Sequence, residues 1–86
     1  MLLAWTPQAW EDYLYWQGTD KKILKRINAL LRDALRDFGS GLGKPEALKF
    51  DLNGCWPRRI DLAHRLVYRV DEPAGQLIVL QCRYHY

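Results

Sequence analysis

The hydrophobic pattern of the chain changes period once, near its middle. LLAW (residues 2–5) predicts a short strand. Thr6 then Pro7 is a helix start, because Thr can cap orphan N–H groups and Pro is pre-shaped for the first helical position. Trp10, Tyr13, Leu14 and Gln17 follow at i, i+3, i+4 and i+7, which predicts one apolar side, and Gly18 supplies a stop. Thr19 or Asp20 caps a second, longer helix. There Ile23, Ile27, Leu30, Leu31, Ala34 and Leu35 keep helical spacing, while Lys21, Lys22, Lys25, Arg26, Arg32 and Arg36 fill much of the remainder. The stretch GSGLGKP (39–45) then predicts a flexible loop.

From residue 47 the period is two: ALKFDL, Asn53-Gly54 as a hairpin turn, CWPRRID, a short turn, RLVYRVD, the loop EPAG, and QLIVLQCRYHY. That is an antiparallel meander of four strands, with an edge or bulge expected near Pro57, which cannot donate to a ladder. Alternation sends Leu48, Phe50, Leu52, Trp56, Ile60, Leu66, Tyr68 and Val70 to one side. The opposite side receives Lys49, Arg59, Arg65 and Arg69. In the last strand Leu77–Leu80 is apolar on both sides; Cys82 and Tyr84 fit the core, and Arg83 and His85 the open face. Arg58 has core parity and is expected to escape at an edge or snorkel. The result is an α+β fold: an N-terminal strand and two helices packed on one face of a mainly antiparallel sheet, whose open face is basic.

Composition narrows this picture. Eighty-six residues allow one domain (1–86), and 49% apolar content with four Trp and five Tyr argues for a packed core rather than disorder. No apolar run approaches the ~20 residues that span a bilayer, and MLLAW lacks the marks of a signal peptide, so the expected location is the cytoplasm, with no membrane partner. Cys55 and Cys82 lack CxxC spacing and come with only His64 and His85, which predicts reduced, partly buried thiols without metal. Net charge is only +3, so placement matters more than sum. A cationic sheet face suits a phosphate backbone, yet a solvated antiparallel sheet is also polar on its exposed side. Charge pattern alone leaves these two readings even.

The ending CRYHY adds chemistry. Histidine titrates near neutral pH and can donate a proton to a leaving oxygen, although a lone terminal imidazole is more often idle. Glu46, beside Pro45, could be a general base, although an isolated carboxylate is more often a solvated surface group. Cleaving RNA without a metal needs a base for the 2′-hydroxyl, cations for the phosphorane and an acid for the 5′-oxygen. Glu46, Lys49, Arg59, Arg65 and His85 could together fill those roles. The sequence has no aspartate cluster for a two-metal nuclease, and GSGLGKP lacks the Walker spacing, so no cofactor is expected. Trp5, Trp10, Tyr13, Trp16, Trp56 and Tyr68 are expected as packing groups, which leaves Tyr86 as the better candidate for base contact. His64 reads as a turn or packing residue.

The runs WEDYLYWQ, TDKKILKRIN, GKPEALK, RRID with HRLVY, and CRYHY resemble the YoeB-type toxins of the RelE/ParE superfamily, bacterial toxin–antitoxin ribonucleases, over essentially the whole chain. The resemblance implies a RelE-like fold and an mRNA endonuclease acting on codons in the ribosomal A site, in contact with rRNA. Carried over by position, Glu46 would be the general base and His85 the general acid. Arg65 would stabilise the phosphorane, Lys49 and Arg59 would hold phosphate, Tyr86 would help form the substrate site, and Arg83 would join the binding face. Products would be a 2′,3′-cyclic phosphate and a 5′-hydroxyl, without metal. A YefM-like antitoxin and a toxin homodimer are implied as partners. Cys55, Pro57 and the SGLG stretch depart from the family pattern. A non-catalytic inhibitor that binds ribosome or RNA is the competing reading; a gyrase-directed toxin, as in ParE-type relatives, is a weaker one.

Overall fold

The structure is a computed structural model that describes residues 1–46 and 54–84. Its elements are β1 (Leu2–Trp5), α1 (Pro7–Thr19), α2 (Lys21–Arg36), β2 (Cys55–Arg59), β3 (Arg65–Asp71) and β4 (Gln76–Gln81). The four strands form one sheet in the order β1-β4-β3-β2, with β1 parallel to β4 and the other pairs antiparallel. The first strand expected in the meander, with Lys49 and the Asn53 end of its turn, lies outside the described residues.

Both helix starts follow from their caps. The Thr6 hydroxyl accepts from the Ala9 N–H at 3.1 Å with Pro7 at the first helical position, and the Asp20 carboxylate accepts from Lys22 and Ile23. In α2 the apolar stripe behaves as expected, burying Ile27, Leu30, Leu31 and Ala34. α1 does not. Its buried residues are Ala9, Asp12 and Trp16, whereas Trp10 and Leu14 are exposed. Aromatic residues ring that helix, so spacing alone misplaced its inner face by about one position.

The core lies between the helices and one sheet face, where Ile27, Leu30, Leu66, Tyr68, Leu77 and Val79 are fully buried. Each such aliphatic side chain contributes about 1.5–3 kcal/mol by leaving water. A bulge corrects the expected alternation of β4. Val67 pairs with Gln81 but Tyr68 with Val79, so Leu80 is left over. The extra residue lets Val79 and Cys82 both point inward, three positions apart. β4 ends at Gln81, and Tyr84 follows in a left-handed conformation (φ 68°) with 57% of its surface exposed, not in the core. Pro57 sits in β2, which among the described residues is the end strand of the sheet.

Arg58 overturns its expectation most sharply. It neither escapes nor snorkels but is completely buried. Its guanidinium donates to Asp33 Oδ2 and to the Leu42 carbonyl (both 2.7 Å), to the carbonyls of Asp37 (2.7 Å) and Ser40 (2.8 Å), and through Nε to the Tyr68 hydroxyl (3.0 Å). The Tyr68 hydroxyl in turn donates to the Phe38 carbonyl. The loop after α2 is therefore wrapped around one cation. Two of its glycines are required by that closeness: a Cβ on Gly41 (φ 98°) would meet Asp33 Oδ2 at 2.3 Å, and one on Gly43 (φ 83°) would meet Leu30 Cδ2 at 2.8 Å. The Gly43 carbonyl accepts from the Arg59 N–H at 2.9 Å, so the segment expected to be flexible is stitched to β2.

Removing the cation orphans a carboxylate and several carbonyls at once. Arg58→Met should lower unfolding free energy by roughly 3–5 kcal/mol in urea titrations, the usual cost of breaking a buried pair from one side. A pH dependence follows as well. The Leu42 N–H and then the Arg58 guanidinium hold the Asp33 carboxyl below its ordinary value of 3.8, and the Ser40 hydroxyl and Gly39 N–H do the same for Asp37. A carboxyl with a depressed folded-state pKa stabilises in full above its unfolded value and loses that contribution as pH falls through the folded value. Urea midpoints of the wild type should thus drop steeply below about pH 3.8, and less steeply in Asp33→Asn.

Candidate RNA-binding and cleavage site

Arg59 and Arg65 are cross-strand partners in the β2–β3 ladder, and Arg69 lies on the same side, opposite Cys55. Arg59 and Arg69 are exposed, Arg65 half-buried. Like charges directly opposed in a sheet repel, and among the described residues no carboxylate pairs with any of the three; the ion pairs found there are Arg36–Asp33 and Arg58–Asp33. Arg65 Nη1 is instead aimed by the carbonyls of Asp61 (2.6 Å) and His64 (3.0 Å). The face is not uniformly basic, since Cys55, Pro57 and Val67 are buried on that side. Two arginines paired across the ladder, beside buried apolar side chains, are a candidate place for an anion.

Glu46 is exposed at the end of the pinned loop. It follows Gly43, bonded to Arg59, by three residues, so its Cα lies within roughly 11 Å of that tether. The Gly43–Arg59 bond thus ties the segment that carries Glu46 to the strand that carries Arg59. Lys49, His85 and Tyr86 lie outside the described residues.

The approach to the C-terminus is held by side chains that sequence reasoning did not place in a site. Asp12, 4% exposed, accepts the Cys82 N–H at 3.1 Å, and Trp16 Nε1 donates to the Cys82 carbonyl at 2.8 Å. Burial, with the Asp12 charge second, pushes the Cys82 thiol up to about 12, which leaves it a neutral packing group. Arg83 is not on the open face with Arg59 and Arg65. Its guanidinium lies 3.5 Å from the ring centroid of Tyr15 in α1 and 4.5 Å from that of Tyr84, so its faces are stacked while its edge N–H groups can still donate. The Tyr84 carbonyl accepts from the Arg65 N–H at 2.9 Å, which ties the tail to the segment that carries Arg65. A signal for Asp12 and Trp16 existed: in WEDYLYW they are four apart, hence on one helix face.

These features define a small α+β domain with a cationic sheet face and a tethered C-terminal tail. Comparison with known proteins makes the class specific. A family model described as a YoeB-like toxin of bacterial type II toxin-antitoxin system matches residues 5–86. Toxin YoeB of Escherichia coli K12 is 52% identical over 86 residues, which is all of both chains. Among solved structures, a YoeB/ParE toxin from Agrobacterium tumefaciens superposes with a TM-score of 0.97 at 51% identity over the whole of both chains. A YoeB dimer and a YoeB–YefM complex from Staphylococcus aureus superpose with TM-scores of 0.90 and 0.89 at 46% and 45% identity, covering all of this chain and 98% and 99% of theirs. The chain belongs to the YoeB-like toxin family of bacterial type II toxin–antitoxin systems.

Proposed function

We propose that this toxin is a ribosome-dependent mRNA endoribonuclease that inhibits translation by cutting A-site codons without a metal or cofactor. The observation that carries the reading is the opposed pair Arg59–Arg65, with no carboxylate partner among the described residues, bonded through backbone to both the Glu46 loop and the C-terminal tail. In the reaction Glu46 takes the proton of the 2′-hydroxyl, whose oxygen bonds to phosphorus. Arg65 stabilises the phosphorane, and Lys49 and Arg59 hold its oxygens. The P–O5′ bond breaks as His85 protonates the leaving oxygen, which gives a 2′,3′-cyclic phosphate and a 5′-hydroxyl. Tyr86 and Arg83 contact the substrate.

The partners in this reading are mRNA and rRNA at the A site, a YefM-like antitoxin and a second toxin copy, in the cytoplasm. The YoeB dimer and YoeB–YefM complex of Staphylococcus aureus support the last two, and no described helix is long and apolar enough to cross a membrane. An acidic antitoxin segment would complement the unpaired arginines.

Single-turnover cutting on programmed ribosomes tests the roles. Glu46→Ala and His85→Ala should each slow cleavage by about 10²–10⁴-fold, and Arg65→Ala by about 10²–10³-fold, with the fold intact by circular dichroism. Equal translation block by wild type and His85→Ala, with mRNA uncut, would make the protein an occupancy inhibitor instead.

A further inference from the structure

Tyr84 is held on both sides of its backbone by consecutive residues, the last of the β2–β3 connection and the first of β3. Its N–H donates to His64 Nδ1 at 2.7 Å, and its carbonyl accepts from the Arg65 N–H at 2.9 Å. A bulky residue at φ 68° costs roughly 1–2 kcal/mol and persists where its surroundings over-determine it.

His64 is itself fixed. Its ring stands edge-on to Trp16, with centroids 4.8 Å apart at 78°. Its N–H donates to Asp61 Oδ1, and its carbonyl accepts from Ile60 and from Arg65 Nη1. To accept from Tyr84, Nδ1 must present a lone pair, so in this bond it carries no proton. A packing histidine in a turn needs no such commitment.

We infer that His64 is a positioning residue: by accepting the Tyr84 N–H on Nδ1 it fixes the backbone leading into His85 relative to Arg65. This rests on the nuclease reading, for which it supplies the restraint on the general acid. His64 touches no reacting atom in this account. It sets where the chain leaves Tyr84.

Three substitutions at one position separate acceptor from bulk. Asn places a carbonyl oxygen at the δ position, where it can replace Nδ1. Gln carries its polar atoms one bond too far, and Leu has none. The readouts are hydrogen exchange of the Tyr84 amide and single-turnover cutting on programmed ribosomes, resolved into saturating rate and half-saturating concentration. Urea midpoints check folding.

His64→Gln and His64→Leu should raise Tyr84 exchange by about tenfold or more, as expected when a bond of about 1.4 kcal/mol is lost. They should lower the saturating rate by about 10–10²-fold with half-saturation unchanged, the penalty of a misplaced catalytic group. His64→Asn should restore both. If His64→Leu does not fold, the Asn and Gln variants carry the comparison. Faster Tyr84 exchange with wild-type cutting would overturn the inference, as would an Asn variant no better than Gln in both readouts. A wild type that protects Tyr84 but cuts nothing would refute the nuclease reading, and the positioning role would fall with it.

Discussion

The buried Arg58 guanidinium is the constraint on which the rest of the structure depends. A charge in a core of this size is costly unless every donor is met, and here Asp33, Tyr68 and three loop carbonyls meet them. An apolar residue at this position could pack against Tyr68 but could not gather the carbonyls of residues 37, 40 and 42. Residues 37–43 would lose their fixed path, and with it the anchor that precedes Glu46. The arginine that looked misplaced among the surface cations is the one that organises the loop leading to Glu46.

A second set of polar groups does for the tail what Arg58 does for the loop. Asp12 and Trp16 grip both backbone atoms of Cys82, and His64 and Arg65 grip both of Tyr84. β4 has already ended at Gln81, so the side chains of Asp12, Trp16 and His64, with the Arg65 backbone N–H, replace the missing ladder. The two anchored segments are bonded to Arg59 and Arg65, the two residues of one cross-strand pair. The proposed acid and base catalysis requires that both segments reach one phosphate, since two proton transfers must flank it.

Much of this was legible before any coordinates. β1 occurs at residues 2–5 as read, Thr6 and Asp20 cap the helices, and the change of period marks where helices give way to strands. These signals are local, and local signals survive. The failures were tertiary. In α1 aromatic residues on several sides hid which face was inside. In β4 the apolar run Leu77–Leu80 concealed a bulge, and alternation was carried past the strand's end at Gln81, so it counted Tyr84 inward when it is exposed. Arg58 was flagged by its parity, but only the carbonyls of a distant loop explain its burial. Of the residues proposed for the site, Arg59 and Arg65 stand where parity put them, Arg83 stacks on α1, and Glu46 ends the pinned loop. His64 and Tyr15 gave no sequence signal because their roles are bonds or stacking with residues far away in sequence, and Asp12 showed only the helix face it shares with Trp16.

The central claim is that convergent acid and base groups cut RNA through its own 2′-hydroxyl. The most direct measurement is the chemistry of the new ends, determined on mRNA recovered from programmed ribosomes after incubation with toxin in the presence of a chelator. The account predicts a cut within the A-site codon, a 2′,3′-cyclic phosphate on the upstream fragment and a 5′-hydroxyl on the downstream one, and no cut where the 2′-oxygen at that position is methylated. A 3′-hydroxyl with a 5′-phosphate, or cleavage that survives 2′-O-methylation, would contradict it.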